Sequence, residues 1–523
     1  MPRQSAASAG HGHARDETAT DASAGGSTQP ALIKSAEFWL DDGNIILACG
    51  STGFRAHQTV LAMHSSVFND MFALGEPGPG DSVFEGCAVV EVTDSAEDIL
   101  RMLKAVYFRD YATEVKQQLD VLASLLRMAT KYMFDGLRSE VAAKLRLLFP
   151  DQWMMYASQE RTSAMPMEFD PFVAVQLGQT CRLPAIVPVA MYLCVVREAS
   201  KESFWQIPEG GVDTPREQLR HSCLRFMNDL KDRMDEVFLP LEDVLPWRRF
   251  ANGRWACEQT DSRGQCAGLP CHARRVVERK CRILAVDIFR ESLVFNVQDG
   301  RATCGMCHAH LTRYETLIQQ DIWDLLPKLL GWYNWDAVKE EQRTLDLSER
   351  ASTDEHIAQM PPRKCRREEA AEPIFEKDGE FWLCDGNIIL VCELTGFCIH
   401  RSVLALHSAM FKGMLSDETL SAQQFEGRLV LALPNPAEDI HCMLKALYSR
   451  HYAMEQKQDF AVLASLLRMS STYMLHTVRK EVISCLKILL PSTLSTYQSP
   501  ERHVLLPTDF DPTLVVQLGE QYT

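Results

Sequence analysis

The sequence predicts an α+β chain in which two copies of one small unit, a short sheet followed by stacked helices, flank a mainly helical, cysteine-rich middle region. Three observations predict it. Residues 38–72 and 381–415 agree at 21 of 35 positions with a constant offset of 343, and self-similarity of that kind marks a repeated structural unit. Within each copy the apolar pattern passes from short runs bounded by Gly turns to helical spacing. Between the copies, six of the 17 cysteines (Cys257, Cys266, Cys271, Cys281, Cys304 and Cys307) fall within 51 residues.

The elements follow in chain order. Asp42-Gly43 and Asp385-Gly386 stand before apolar runs, and Asp-Gly supplies the positive φ of a tight hairpin. "NIILAC" and "NIILVC" therefore read as strands, with a second strand around Phe54. From His57 the positions Val60, Leu61, His64, Val67, Phe68 and Met71 recur at helical spacing, which predicts one amphipathic helix. "CAVVEV" at Cys87 is a further strand. The next helix carries Asp94 as N-cap with Glu97 three residues on, echoed by Asn435 and Glu438 with Pro436 at the first helical position. Leu122, Leu125, Leu126, Ala129, Met133, Leu137, Val141 and Leu145 continue as a helical surface.

Composition bounds the class. A chain of 523 residues holds several domains, and no apolar run is long enough to span a membrane. The net charge of −16 argues against nucleic acid as a partner. The start lacks the basic and apolar blocks of a secretory signal, so an intracellular, reducing compartment is expected, with thiols or metal ligands rather than disulfides. No nucleophile with a positioned base and no phosphate-cradling Gly loop is legible, so the chain reads as a non-enzyme.

These signals divide the chain into a disordered tail (1–34), a first unit (35–150), a helical region carrying the cysteine cluster at 257–307 (151–342), a charged linker (343–377), a second unit (378–491) and a truncated copy of the segment that follows the first unit (492–523). That last copy repeats Phe169-Asp170-Pro171 as Phe510-Asp511-Pro512, and Gln176-Leu177-Gly178 as Gln517-Leu518-Gly519. "RKCRR" at Arg363 reads as part of a solvated linker, with nuclear import as the other reading.

The order of elements, with "FWLxDGNIIL" followed by "GFxxHxxVLAxHSxxFxxM" in each copy, resembles the BTB (POZ) domain family, and the segment behind the first copy is similar to that of tandem-BTB proteins of the fungal type. The resemblance covers about 110 residues per copy. It implies an interaction domain that homodimerises and often serves as adaptor for a cullin-type ubiquitin ligase. The matching motif positions are Asp42, His57, Leu61, Ala62, Ser65 and Phe68, and in the second copy Asp385, His400, Leu404, Ala405, Ser408 and Phe411. On the residues alone, each histidine opens a helix and bonds nearby backbone, each aspartate makes its turn, and the apolar positions are core. The family's hydrophobic-x-Glu adaptor motif is fitted loosely by Val83-Phe84-Glu85, in the loop before the Cys87 strand; Gln424-Phe425-Glu426 lacks the hydrophobic residue.

In the middle region Cys304-Gly-Met-Cys307 has the spacing that lets two thiolates face one tetrahedral ion. With two of Cys257, Cys266 and Cys271 it completes a four-thiolate site for one structural zinc, with His272, His308 and His310 as alternates; a set of reduced, buried cysteines is the competing reading. Related BTB proteins are similar in placing such cysteines ahead of a Trp-containing helix, here "DIWDLLPKLLGW".

Two functional classes stand. The first is a protein interaction scaffold acting through BTB dimerisation, with protein partners, a cullin among them, and no membrane; the two copies pair within the chain or between chains. The second is a transcription regulator whose zinc-stabilised middle domain binds nucleic acid or a partner, with Arg274-Arg275 and Arg279-Lys280 as the nearest basic candidates.

Overall fold

The computed structural model describes residues 32–73, 82–112, 118–166, 169–198, 215–237, 247–249, 255–257, 287–290, 305–358, 375–416, 424–449, 452, 459–490 and 513. The first unit opens with β1 (Ile33–Lys34), β2 (Ile45–Cys49) and β3 (Thr52–Ala56), followed by α1 (Gln58–His64) and α2 (Ser66–Ala73). The hairpin β4 (Val83–Phe84) and β5 (Cys87–Glu91) comes next, then α3 (Ala96–Tyr107), α4 (Leu119–Lys131) and α5 (Asp135–Leu148). Its sheet has the order β1-β3-β2-β5-β4. The central β2 runs antiparallel to β3 and parallel to β5. All five residues of β2 are buried, which is why "IILAC" reads as an unbroken apolar run rather than an alternating one. Leu47 and Phe54 meet Ile99, Met102 and Leu103 of α3 and Leu122, Leu125 and Leu126 of α4 in one core.

The first unit is followed by α6 (Trp153–Tyr156), α7 (Gln159–Ala164), α8 (Pro171–Thr180), α9 (Val187–Glu198) and α10 (Pro215–Val237). Beyond the short ribbon of β6 (Trp247–Arg249) and β7 (Trp255–Cys257) lie α11 (Gly305–Leu325) and α12 (Trp335–Ala358). This helical region packs back on the first unit. Arg138 of α5 donates to the carbonyl of Cys181 at 3.0 Å, and Arg146 pairs with Asp346 of α12 at 3.1 Å. Trp323 and Trp335 stack with centroids 5.2 Å apart.

The second unit repeats the first: β8 (Glu376–Trp382), β9 (Ile388–Cys392), β10 (Thr395–Ile399), α13 (Arg401–His407), α14 (Ala409–Met414), β11 (Gln424–Phe425), β12 (Arg428–Leu433), α15 (Ala437–Tyr448), α16 (Phe460–Thr472) and α17 (His476–Leu489). The sheet order is β11-β12-β9-β10-β8, the same arrangement read from the other edge.

Several sequence expectations need correction. Ile33 and Lys34 are not tail: they pair in parallel with Thr52 and Gly53 as β1. The tight hairpin is not made by Asp42-Gly43 but by Gly50, at φ 57°, between β2 and β3, with Glu393 at φ 54° in the second unit. Gly43 is required for a different reason, since a Cβ there would stand 2.6 Å from the Ala56 carbonyl oxygen. The helix expected from His57 to Met71 is two helices. Ser65 between them is extended, at φ −138°; its Oγ donates to the Tyr132 carbonyl at 2.5 Å and accepts from the Phe68 N–H at 3.0 Å, which starts α2 afresh.

The helical surface from Leu122 to Leu145 is likewise broken, at Met133 with φ 51°. The cap of α3 is Ser95 rather than Asp94, which instead holds Lys131 and Tyr132. Pro436 caps α15 from one position earlier than expected, while Asn435 accepts from Tyr473. The charged linker is in part helix, because α12 runs on to Ala358, and β8 already begins at Glu376. The Val83-Phe84-Glu85 segment is strand and turn, not loop, with Glu85 at φ 49° and Gly86 at φ 77°.

Candidate functional site: the face between the two units

The motif histidines lie at the centre of a contact between the two units. In the first unit the His57 N–H donates to the Tyr107 hydroxyl at 3.0 Å, and that hydroxyl stands 3.2 Å from His57 Nδ1. His57 Nε2 faces Asp42 Oδ1 at 3.1 Å. The arrangement fits one tautomer: the phenol donates to Nδ1, and Nε2–H donates to the carboxylate. The second unit repeats it, with Tyr448 3.0 Å from His400 Nδ1 and Asp385 3.0 Å from His400 Nε2. Both imidazoles are fully buried. They stack on each other across the contact with ring centroids 4.0 Å apart.

Each aspartate also crosses to the other unit. Asp42 Oδ2 accepts from the Ser402 N–H and from the Asn387 side-chain amide, both at 2.9 Å. Asp385 accepts from the Thr59 N–H at 3.1 Å and from the Thr59 hydroxyl at 2.6 Å. Thr59 and Ser402 are equivalent at the offset of 343, so the contact is self-complementary with roles exchanged, as across a two-fold axis. The donating N–H groups belong to the first turns of α1 and α13, where backbone donors have no helical acceptor. Asn44 and Asn387 each cap one of those helices by accepting from Gln58 and Arg401 at 2.8 Å.

Electrostatics follow from this geometry. Burial works against an ionised Asp42, but the bonds from His57 and Ser402 outweigh it and hold the carboxyl below the usual range. For Asp385, burial is likewise outweighed by His400 and Thr59. Burial, with the neighbouring His400, pushes His57 down despite its aspartate and keeps it neutral. The phenols of Tyr107 and Tyr448 are driven up by burial and stay protonated donors. Each bond to an ionised acceptor contributes roughly 1.5–3 kcal/mol against the desolvation that it offsets.

A second interlock sits at the rim. Arg109, following α3, reaches Glu481 of α17 in a bidentate pair, Nε to Oε1 at 3.0 Å and Nη2 to Oε2 at 2.6 Å. Its other nitrogen donates to the carbonyls of Ala446 and Ser449. Thr477 donates to Asp110 at 3.1 Å beside it. His407, close by, is pushed down to about 4, by burial first and then by the Arg109 guanidinium.

The structure thus brings together Asp42, His57, Asp385 and His400, which do more than make turns and bond backbone. Leu61, Phe68, Leu404 and Phe411 are fully buried core, Ala62 and Ala405 are half-buried, and Ser65 and Ser408 are helix-starting caps. Sequence reasoning missed Thr59, Ser402, Asn387, Arg109 and Glu481. The hydroxyl at both Thr59 and Ser402 was a visible signal, since the two positions follow the motif histidine by the same two residues. Glu85 and Glu426 of the hydrophobic-x-Glu pattern both serve turns and pair with lysines, Lys34 at 2.6 Å and Lys377 at 3.1 Å. Val83 is 60% exposed.

Of the zinc ligands expected from spacing, Cys266, Cys271 and Cys304 lie outside the described residues, and only the backbones of Cys257 and Cys307 are placed, in β7 and α11. Among the described residues no cluster of three or more histidine, cysteine or acidic side chains is arranged to hold a metal ion. No helix among them is long and apolar enough to cross a membrane.

Sheet, helices and a self-complementary face define an interaction module whose two copies pair. Residues 40–146 and 380–486 each match the family model of the BTB/POZ domain. The chain carries two BTB/POZ domains in tandem, a fold that generally mediates protein–protein interaction and self-association and is typically non-enzymatic. No curated protein matches the chain.

Proposed function

We propose that the protein is an interaction scaffold whose BTB pairing face is closed inside one chain. The observation that carries this is the reciprocal crossing of Asp42 to Ser402 and Asp385 to Thr59 around the stacked histidines. A face built to pair with a copy of itself is satisfied by the second copy, and the connecting chain keeps that copy at high effective concentration. Light scattering on the purified, reduced protein tests it. A mass of 59.1 kDa that holds on dilution is expected; a dimer that dissociates on dilution overturns it.

Partner binding then falls to surfaces away from the paired face. The exposed Val83 edge strand supports a reading of the first domain as substrate adaptor for a cullin-type ubiquitin ligase. Binding of a purified cullin N-terminal domain, weakened by Val83→Asp but not by Gln424→Ala, is the expected result; no binding by the wild-type chain sinks it. We place the protein in an intracellular compartment, among tandem-BTB proteins of the fungal type. One structural zinc on Cys304 and Cys307 with two of Cys257, Cys266 and Cys271 would steady the middle region, with about one zinc per chain, lost on changing Cys304 and Cys307 to Ser, as its assay. The transcription-regulator reading rests on Arg274, Arg275, Arg279 and Lys280, which lie outside the described residues.

A further inference from the structure

One histidine of the second domain is held between two carboxylates. His441, in α15, has Nδ1 3.1 Å from Asp378 Oδ2 and Nε2 3.1 Å from Glu380 Oε2, and both acids belong to the edge strand β8. Neither carboxylate is placed to donate. Asp378 Oδ1 accepts from the N–H groups of Glu380 at 2.9 Å and Phe381 at 2.7 Å, and Glu380 Oε2 also accepts from Lys445 at 3.1 Å. A neutral imidazole has one N–H and one lone pair, so it would satisfy one of the two contacts and set its lone pair against an oxygen in the other. The imidazolium donates to both, and each bond is then charge-assisted.

The ring fastens a stretch that the sheet itself leaves unpaired. Glu376 and Lys377 pair with Thr395 and Gly396 of β10, and pairing resumes with Trp382 opposite Cys398. Asp378, Gly379, Glu380 and Phe381 therefore pass opposite Phe397 alone, as a bulge whose backbone leaves the ladder. His441 lies edge-on to Phe381 and Phe397, with centroids 5.3 and 6.3 Å apart. The charged groups that face it are Asp378 and Glu380 from β8 and Lys445 one turn further along α15, while β10 contributes the Phe397 ring. The His441 side chain is 28% exposed, so its proton exchanges directly with solvent.

The first domain makes the corresponding turn without these charges. Ser35 stands where the second domain has Asp378 and accepts from the Phe38 N–H at 3.3 Å, and Leu100 stands where it has His441. The Lys104–Glu37 pair, at 2.5 Å, matches Lys445 and Glu380. The aspartate and the histidine, on two different elements, are thus the additions. We propose that His441 is an imidazolium clamp on the strand by which the chain enters the second domain, a pH-sensitive switch that the first domain lacks. As the pH rises through the range of about 5 to 8 in which histidine loses its charge, one contact becomes a repulsion between acceptors and residues 378–381 loosen. The sign is opposite to that of His57, which is buried against a second ring and favours its neutral form.

Amide hydrogen exchange of the full chain, read by mass spectrometry and corrected for the intrinsic pH dependence of exchange, tests this. Protection across residues 378–382 is expected to drop several-fold between about pH 5.5 and about pH 8, while the matching residues 35–39 keep theirs. His441→Leu and Asp378→Ser, which install the residues of the first domain, are each expected to abolish that difference. His441→Gln serves if the leucine variant does not fold, since its amide carries no titrating proton. Protection at 378–382 that follows residues 35–39 at every pH overturns the proposal, as does a drop that survives substitution of His441.

Discussion

His57 and His400 lie ring on ring, their centroids 4.0 Å apart and their planes 30° from parallel, each held from behind by its own aspartate and tyrosine. The stack joins the two domains at the point where both carboxylates cross. Two neutral rings tolerate this contact; two imidazolium rings would repel at that distance.

A pH dependence follows. The folded His57 prefers its neutral form, so the unfolded chain binds more protons below the ordinary histidine pKa of 6.5. Stability from this group is fully present above about pH 6.5 and falls as the pH drops. His407, pushed down to about 4, acts with the same sign between about 6.5 and 4. Asp42 and Asp385, held below the ordinary carboxyl value of 3.8, extend the loss to still lower pH. The melting temperature is expected to fall steadily from pH 7 to pH 4, and a His57→Gln, His407→Gln variant should flatten the upper part of that slope. A flat profile in the unaltered chain would contradict this account.

Removing a crossing carboxylate should open the pair. Asp385→Ala leaves the Thr59 N–H and hydroxyl without their acceptor and His400 without its anchor, and truncating one member of a buried, charge-assisted set costs about 2–5 kcal/mol. Thr59→Val removes the hydroxyl bond to the ionised carboxylate but keeps the N–H bond, so a loss of about 1.5–3 kcal/mol is expected. Chemical denaturation followed by domain-specific probes would order the two variants, and equal losses would show that the hydroxyl carries the contact.

At the rim, Arg109→Ala is expected to cost about 3–5 kcal/mol, because it leaves Glu481 poorly compensated and the Ala446 and Ser449 carbonyls short of a donor. Arg109→Lys should rescue little, since an ammonium cannot reproduce the planar two-point pair. The sequence equivalents are Arg450 and Glu140, the former outside the described residues. Comparing Glu140→Ala with Glu481→Ala in thermal melts asks whether the rim repeats the two-fold symmetry of the centre; a neutral Glu140→Ala would answer that it does not.

Inside each domain, Ser65→Ala and Ser408→Ala each remove a helix cap and a donor to a buried carbonyl, on Tyr132 and Tyr473. A loss of about 1–2 kcal/mol apiece is expected in urea titrations. Gly43→Ala is expected to cost about 1–3 kcal/mol through overpacking against the Ala56 carbonyl, although its φ is not positive. A neutral Gly43→Ala would show that the backbone at Ala56 yields enough to admit a Cβ.

The sequence by itself determined the repeated unit, its strands and most of its helices, because self-similarity and apolar spacing are written along the chain. "IILAC" and "IILVC" are strands, and Leu61 and Phe68 are core, because local periodicity and burial agree there. Local chemistry also misled. Asp42-Gly43 looks like a hairpin turn and Asp94 like a cap, but both aspartates are taken by partners distant in sequence: His57 and Ser402 for one, Lys131 and Tyr132 for the other. Only the tertiary structure decided that the two copies face each other, that Thr59 answers Asp385 and that Arg109 reaches Glu481 across 372 positions. Pairing of that kind depends on which surfaces remain uncovered once each domain has packed, and the order of residues along the chain does not carry that information.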